Sequence, residues 1–360
     1  MTIRLIHAGL GGWGGDWEAN AIGPVAEVDR VAVVEPHEPT LRRFQELRGL
    51  PDAACSTSFE ETLASVDADA VLLTTPVRTH VPMALQALEA GKHVLVEKPF
   101  ASTVEEAAVA VRRAEELGLV LQVSQNYRFY PAPRAAQQLL AAGELGDLSG
   151  ISVDFRRWDH DAAAGTYGHY DFPHPLIHDM AIHHFDLLRK ITGQEAVRVF
   201  ARASDPDWSR YAEEAAAVMS IELADGLVVS YRGSWVSRLP QTNWGGTWTV
   251  DGSEGALTFT TRAGGPAGPD GDAVTVFRPG ADPAPVPLPE MPLWGRSAGL
   301  QEFARAVEGG PASEANARGN LGSVALMEAA TRSAASGRVE DVVVPADLRV
   351  PPTPRTEVPR

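Results

Sequence analysis

Five short runs rich in Val, Ile and Leu recur through the first 125 residues: Ile3 to Ala8, Val31 to Glu35, Ala70 to Thr74, His93 to Glu97 and Val120 to Ser124. Helical patterns separate them. A chain that alternates in this way buries both faces of its strands by packing helices on either side of a parallel sheet. The helices have readable ends. Ser58 with Glu61, and Ser102 with Glu105, have the spacing of a capping box. Gly91 and Gly118 stand where a left-handed residue is needed to stop a helix. Leu41, Phe44 and Leu47 define one apolar helix face.

After Gln125 the pattern changes. A helix over Pro133 to Ala142 ends at Gly143. Longer alternating segments follow at Ile151 to Trp158, Val197 to Ala203, Ala217 to Leu223, Leu227 to Tyr231, Thr247 to Val250 and Ala256 to Thr260. Such alternation suits a sheet with one covered face, so the second region reads as an α+β domain. Residues Ala263 to Pro292 are rich in Gly, Pro and Asp and read as loops around one strand, Ala273 to Phe277. The expected divisions are 1–125, 126–345 and a proline-rich, extended tail at 346–360.

Composition narrows the function classes. The formal charge of -16 argues against nucleic acid and anionic membranes as partners. Cys55 is the only cysteine, which excludes intramolecular disulfides and cysteine-ligated zinc and agrees with a reducing compartment. No run approaches the roughly 18 apolar residues of a membrane span. Met1 to Gly15 lacks a signal-peptide pattern, so the expected location is the cytoplasm.

Gly9-Leu10-Gly11-Gly12-Trp13-Gly14 matches the GxGxxG pattern between a strand and a helix, where glycines permit a tight turn and close backbone approach to a pyrophosphate. Glu35 ends the second strand at the position of an acid that accepts from a ribose hydroxyl. Its carboxylate would repel a 2′-phosphate, which favours NAD over NADP. His37 and Arg42 lie close enough to soften that discrimination. Thr74-Thr75-Pro76 ends the next strand and either contacts the nicotinamide-side ribose or simply forms a turn. Trp13 either covers the pyrophosphate or, as preferred here, packs beneath the helix. Glu97 and Lys98 end the strand that starts at His93, placing a fixed positive charge at the cleft, and His80 completes the cofactor contacts.

The segment from His178 to Leu188 is the second constellation. On a helix Asp179 and His183 share a face, with Asp186 one turn further, while Met180, His184, Leu187 and Leu188 form a stripe suited to the core. The local histidines and acids lack the spacing of a helical zinc site, and no metal is expected.

Together the Gly9 fingerprint, Glu97-Lys98-Pro99, Asn126-Tyr127-Arg128-Phe129 and the Asp179-x-x-x-His183-x-x-Asp186 segment resemble, in their order, the glucose-fructose oxidoreductase/inositol dehydrogenase/MocA family. The likeness runs from the amino terminus to about residue 260. It implies an α/β chain with an amino-terminal Rossmann domain and a carboxyl-terminal α+β domain. The latter's large open, mostly antiparallel sheet commonly mediates homodimers or homotetramers. It also implies catalytic roles for Lys98, Asp179 and His183. The glycine often found two positions after the aspartate is Ala181 here.

Hydride transfer from a secondary alcohol requires removal of a hydroxyl proton and stabilisation of developing negative charge. Histidine, with an ordinary pKa of about 6.5, suits the first task and a lysine the second. The expected activity is therefore NAD-dependent oxidation or reduction of a sugar, sugar derivative or cyclic polyol. His183 acts as acid/base, Lys98 stabilises the reacting oxygen, and Asp179 orients the substrate or Lys98. Substrate contacts are sought among Arg128, Arg156, Arg157, Trp158, His160, Tyr167, His169 and Tyr170, with at most one of the adjacent arginines reaching the pocket. Two alternatives stand. One is a glycoside hydrolase using NAD transiently through oxidation, elimination, water addition and re-reduction, including on an anionic sugar. The other is a non-catalytic NAD-binding regulatory protein.

Overall fold

In the computed structural model, which describes residues 2–163, 165–263 and 270–350, the expected alternation becomes strands β1 (Ile3–Ala8), β2 (Val28–Val34), β3 (Cys55–Ser56), β4 (Ala70–Leu73), β5 (His93–Val96) and β6 (Leu121–Val123). Helices α1 (Gly12–Asn20), α2 (Glu38–Arg48), α3 (Phe59–Ser65), α4 (Val77–Glu89) and α5 (Val104–Leu117) connect them. All five pairings are parallel, in the order β3-β2-β1-β4-β5-β6. The order reverses between β1 and β4, the topological switch point beyond which a doubly wound sheet binds its ligand.

Local chemistry explains the boundaries, including those that differ from expectation. Ser58 caps α3, its Oγ accepting from the Glu61 amide at 3.2 Å. The cap of α5 is Thr103 rather than Ser102: Thr103 Oγ1 accepts from Glu106 N, while the Glu106 carboxylate reaches back to Ser102 N. On α2, Leu41 and Phe44 are buried with Leu10 and Val33, but Leu47 is 74% exposed. Gly49 ends that helix at φ 62°, and Leu50 beyond it, not Leu47, packs against the cluster.

The chain divides into residues 1–126 with 295–321, and 127–294 with 322–360. This departs from the uninterrupted second domain expected over 126–345. Residues 295–321 join the first unit because β6 is an edge strand needing a partner: Val123 N donates to Ala315 O at 3.0 Å, and Gln122 Nε2 to Gly299 O at 2.8 Å.

The second unit contains α6 (Pro131–Ala141), β7 (Leu148–Arg156), a π-helical turn (Pro175–Ala181) running into α7 (Ile182–Thr192), β8 (Ala196–Ser204), β9 (Ala216–Leu223), β10 (Val228–Ser234), β11 (Thr247–Gly252), β12 (Gly255–Thr260), β13 (Ala273–Phe277), β14 (Ala284–Pro285) and β15 (Glu340–Asp341). Its nine described strands form one sheet in the order β14-β13-β12-β11-β7-β10-β9-β8-β15, antiparallel except for β7 with β10. Ile151, Val153, Phe155, Val229 and Tyr231 are buried on one face, while Phe200 on β8, Val218 on β9 and Val228 on β10 are exposed. No helix among the described residues is long and apolar enough to cross a membrane. The expected extended tail from Pro351 lies outside the described residues.

Candidate functional site

In the first unit, every expected cofactor contact from the strand ends lies at the carboxyl edge of the sheet. Gly9 follows β1 at φ 95°, and a Cβ on Gly14 would stand 1.9 Å from the Gly9 carbonyl oxygen, so the fold itself demands glycine at both ends of the fingerprint. At Gly11 and Gly12 an added Cβ meets nothing within 4 Å. The fold has no need of glycine there, whereas a pyrophosphate approaching the start of α1 does. The residues present therefore fit a dinucleotide. Glu35 grips the loop, accepting from Leu10 N at 2.8 Å and His37 N at 3.0 Å. Arg42 is paired with Glu38, and the His37 ring with Thr40.

Several expected contacts instead brace the loops. Thr74 Oγ1 donates to Gly9 O at 2.6 Å and meets His7 Nε2 at 2.8 Å, while Thr75 Oγ1 is bonded to Thr79 and Pro76 precedes the first turn of α4. His80 is buried between the carbonyl oxygens of Pro99 and Thr75, at 2.9 and 2.7 Å, and burial pushes its pKa down. Glu97 is buried too: its carboxylate accepts from Trp17 Nε1 at 2.7 Å and Lys98 N at 3.0 Å, which fixes the backbone of half-buried Lys98. Trp17 thus fills the space expected for Trp13, which is 41% exposed under the Arg296 guanidinium. His7 and Glu18 were not legible as site residues. Their 2.8 Å contact, continued by Arg30, holds the Glu18 carboxyl below its ordinary value although burial raises it.

In the second unit, Asp179 lies in the π-helical turn and His183 in the first turn of α7, so the constellation read as one helix spans a change of winding. His183 is buried, its ring stacked on Tyr127 with centroids 4.0 Å apart and planes 5° from parallel. The carboxylate of Asp179 meets His169 Nε2 at 3.1 Å. Asp159 occupies the other ring nitrogen, Nδ1, at 2.9 Å and also accepts from Tyr211 OH at 2.8 Å. Burial opposes a charge on His169, but the two carboxylates prevail and raise its pKa to about 9. An imidazolium thus lies between two carboxylates, with Trp235 edge-on to its ring at 4.9 Å.

The remaining candidates separate. Arg128 makes a bidentate pair with Asp186 at 2.5 and 2.8 Å, and Ser323 donates to the same carboxylate. Arg156 pairs with Asp154 at 3.0 Å, and Trp158 carries the Arg238 guanidinium over its ring and stacks on Trp208. Tyr170 is 2% exposed and packs against Tyr167 and Tyr211, which removes it from the substrate surface, while Tyr167 is 41% exposed. Arg157 lies 4.1 Å over the Trp244 ring, and Arg262, missed in the sequence, lies 4.8 Å over Tyr127. His184 is held neutral by burial, its pKa down at about 4; Nε2 donates to Trp244 O at 3.2 Å and Nδ1 accepts from Tyr231 OH. His178 Nε2 meets Thr331 Oγ1 at 2.9 Å.

Comparison with known proteins finds two matching profiles. One, described as an oxidoreductase family with an NAD-binding Rossmann fold, covers residues 4–125, and the other, a GFO/IDH/MocA C-terminal domain, covers 133–258. An uncharacterized protein, y4oX, of Sinorhizobium fredii is 26% identical over 359 residues, covering 94% of this chain and 95% of its own. A scyllo-inositol 2-dehydrogenase (NAD(+)) of Bacillus subtilis is 29% identical over 227 residues, 62% of this chain and 65% of that protein. The solved aldose-aldose oxidoreductase of Caulobacter crescentus, complexed with glycerol, shares the fold with a TM-score of 0.82 at 22% identity over 95% of this chain and 100% of its own.

Proposed function

The chain belongs to the Gfo/Idh/MocA family of NAD-binding oxidoreductases, and from that premise we propose that it transfers hydride between a secondary alcohol of a sugar, sugar derivative or cyclic polyol and a nicotinamide. The dinucleotide, when bound, supplies or accepts the hydride. The chain's own residues do the rest. The Gly9–Gly14 loop and the start of α1 bind the pyrophosphate, and Glu35 takes the adenosine ribose hydroxyls. That carboxylate, with Arg42 already spent on Glu38, supports NAD over NADP. Lys98 stabilises negative charge on the substrate oxygen, and His183 takes or returns its proton.

The observation that carries this reading is the placement of Asp179. Its carboxylate meets His169 Nε2 at 3.1 Å, four residues before His183, so it is oriented by the ring and able to accept from a substrate hydroxyl. Tyr127, stacked on His183, fixes the plane of that imidazole. The test is a panel of polyols, sugars and chromogenic glycosides with NAD, following nicotinamide absorbance and aglycone release. Stoichiometric reduction of NAD supports the proposal, whereas aglycone release without net reduction assigns the transient-redox glycosidase instead. Lys98→Ala and His183→Ala should each cut the hydride-transfer rate roughly 100- to 10,000-fold. Near-normal rates in both would remove the assignment.

For assembly, the exposed face bearing Phe200, Val218 and Val228 supports a homodimer or homotetramer formed through the nine-stranded sheet. Light scattering of wild type and Val218→Asp tests this. The variant should shift toward monomer.

A further inference from the structure

We propose that Arg157 and Arg262 form a recognition subsite for a substrate carboxylate, so that the oxidoreductase reaction proposed above, on which this inference rests, acts on an acidic sugar or a related hydroxy acid. The two guanidiniums share one indole, lying 4.1 and 5.6 Å from the centre of Trp244. Among the described residues neither has a carboxylate partner. Arg157 Nη1 donates to the amide oxygen of Gln241 at 2.8 Å, while its Nε and Nη2 are enclosed with no acceptor. Arg262 donates to the phenol oxygens of Tyr127 and Tyr130. Asp272, close to Arg262 in sequence, spends its oxygens on Ala132 N, Arg262 N and Thr261 Oγ1.

Packing alone does not account for this pair. A single arginine over an aromatic ring is an ordinary cation–π contact. Two on the same ring repel each other, and the enclosed Nε–H and Nη2–H of Arg157 have no acceptor among the described residues. Burial, with the charge of Arg262 beside it, pushes Arg157 below the usual arginine range. That free edge of the guanidinium presents two parallel donors, the arrangement that the two oxygens of one planar carboxylate match. Gln241, in the exposed stretch Arg238 to Gln241, takes only Nη1 and leaves the Nε–Nη2 edge to the anion.

The position connects the pair to the chemistry. Arg262 contacts the same Tyr127 that stacks on His183. Trp244 packs on Trp235 at 6.0 Å, and Trp235 on His169 at 4.9 Å, so the cationic end and the Asp179 end are joined through two indoles.

The experiment is calorimetric titration of the full chain, with and without NAD, using D-galacturonate and D-glucuronate against D-galactose and D-glucose, and glucose 6-phosphate as the phosphate arm. Wild type should bind the uronates at least tenfold more tightly than their neutral parents. Arg157→Gln should bring that ratio close to one, and Arg157→Lys should restore part of it. Equal binding of acid and neutral sugars by wild type, an unchanged ratio in Arg157→Gln, or preference for the phosphate would overturn the proposal. Because binding is read without turnover, uronate preference with no hydride transfer refutes the proposed reaction and leaves the subsite standing. Oxidation of neutral sugars with no uronate preference does the reverse.

Discussion

Replacing His169 with glutamine tests the ionic arrangement behind Asp179. Glutamine keeps a neutral side chain of similar reach and removes the titrating group. In the folded chain Asp159 and Asp179 lift the imidazole from 6.5 to about 9, and its side chain is 14% exposed. At ~1.4 kcal/mol per tenfold, that lift is worth at most about 3 kcal/mol of folding stability. The sign follows from the direction. A folded pKa above the unfolded value stabilises fully below pH 6.5, and the contribution disappears as pH rises through about 9. The groups facing the ring are Asp159, Asp179 and the Tyr211 hydroxyl, with Tyr167 edge-on. All remain in the variant, so the wild-type-minus-variant difference isolates His169. Denaturant unfolding from pH 6 to pH 10 should show a gap of about 3 kcal/mol at the acid end that narrows steadily above pH 7. A gap independent of pH, or one that widens in alkali, would refute an imidazolium between two carboxylates.

Other outcomes follow from the cofactor half. Gly11→Ala, with nothing within 4 Å of the new carbon, should leave the unfolding midpoint unchanged within about 0.5 kcal/mol while weakening NAD binding by about tenfold or more, as read by nucleotide fluorescence titration. Gly14→Ala drives a carbon to 1.9 Å from Gly9 O and should lower stability as well, by roughly 2 kcal/mol or more. Glu35→Gln should reduce the ratio of NAD to NADP efficiency by about tenfold, the ~1.4 kcal/mol scale of one charge contact near a surface. A ratio that does not move would place the 2′ position away from Glu35.

The sequence was most readable where structure is local. Strand runs, the Ser58 cap and the glycine stops depend on neighbours within a few residues, and these were found in place. The misplaced details show what local reading lacks. Leu47 and Leu50 are equally apolar, and only the left-handed turn at Gly49 decides which reaches the cluster. Trp13 and Trp17 lie one helical turn apart, and the buried acceptor on Glu97, 80 residues away from Trp17, selects the second. The return of residues 295–321 to the first unit leaves no periodic mark, because it answers the open edge of a strand more than 170 residues earlier. The candidate site divides in the same way. Lys98, Asp179 and His183 stand in motifs, but Asp159 and Arg262 acquire meaning only from His169 and Tyr127.

In the proposed subsite, charge sets how a substrate would lie in the second unit. The whole chain carries -16, so an acidic substrate is repelled by the bulk surface and is held only where local charge reverses the sign. At one end, the carboxylates of Asp159 and Asp179 flank the His169 ring. At the other, the Arg157 and Arg262 guanidiniums have no carboxylate partner among the described residues. A molecule bearing a carboxylate and several hydroxyls has one favourable direction between these poles. Reversing it sets carboxylate against Asp179, a like-charge contact that costs several kcal/mol when shielded from water. On the proposed reaction, the charges that supply affinity would therefore also choose which hydroxyl-bearing carbon faces His183, and with it the position oxidised.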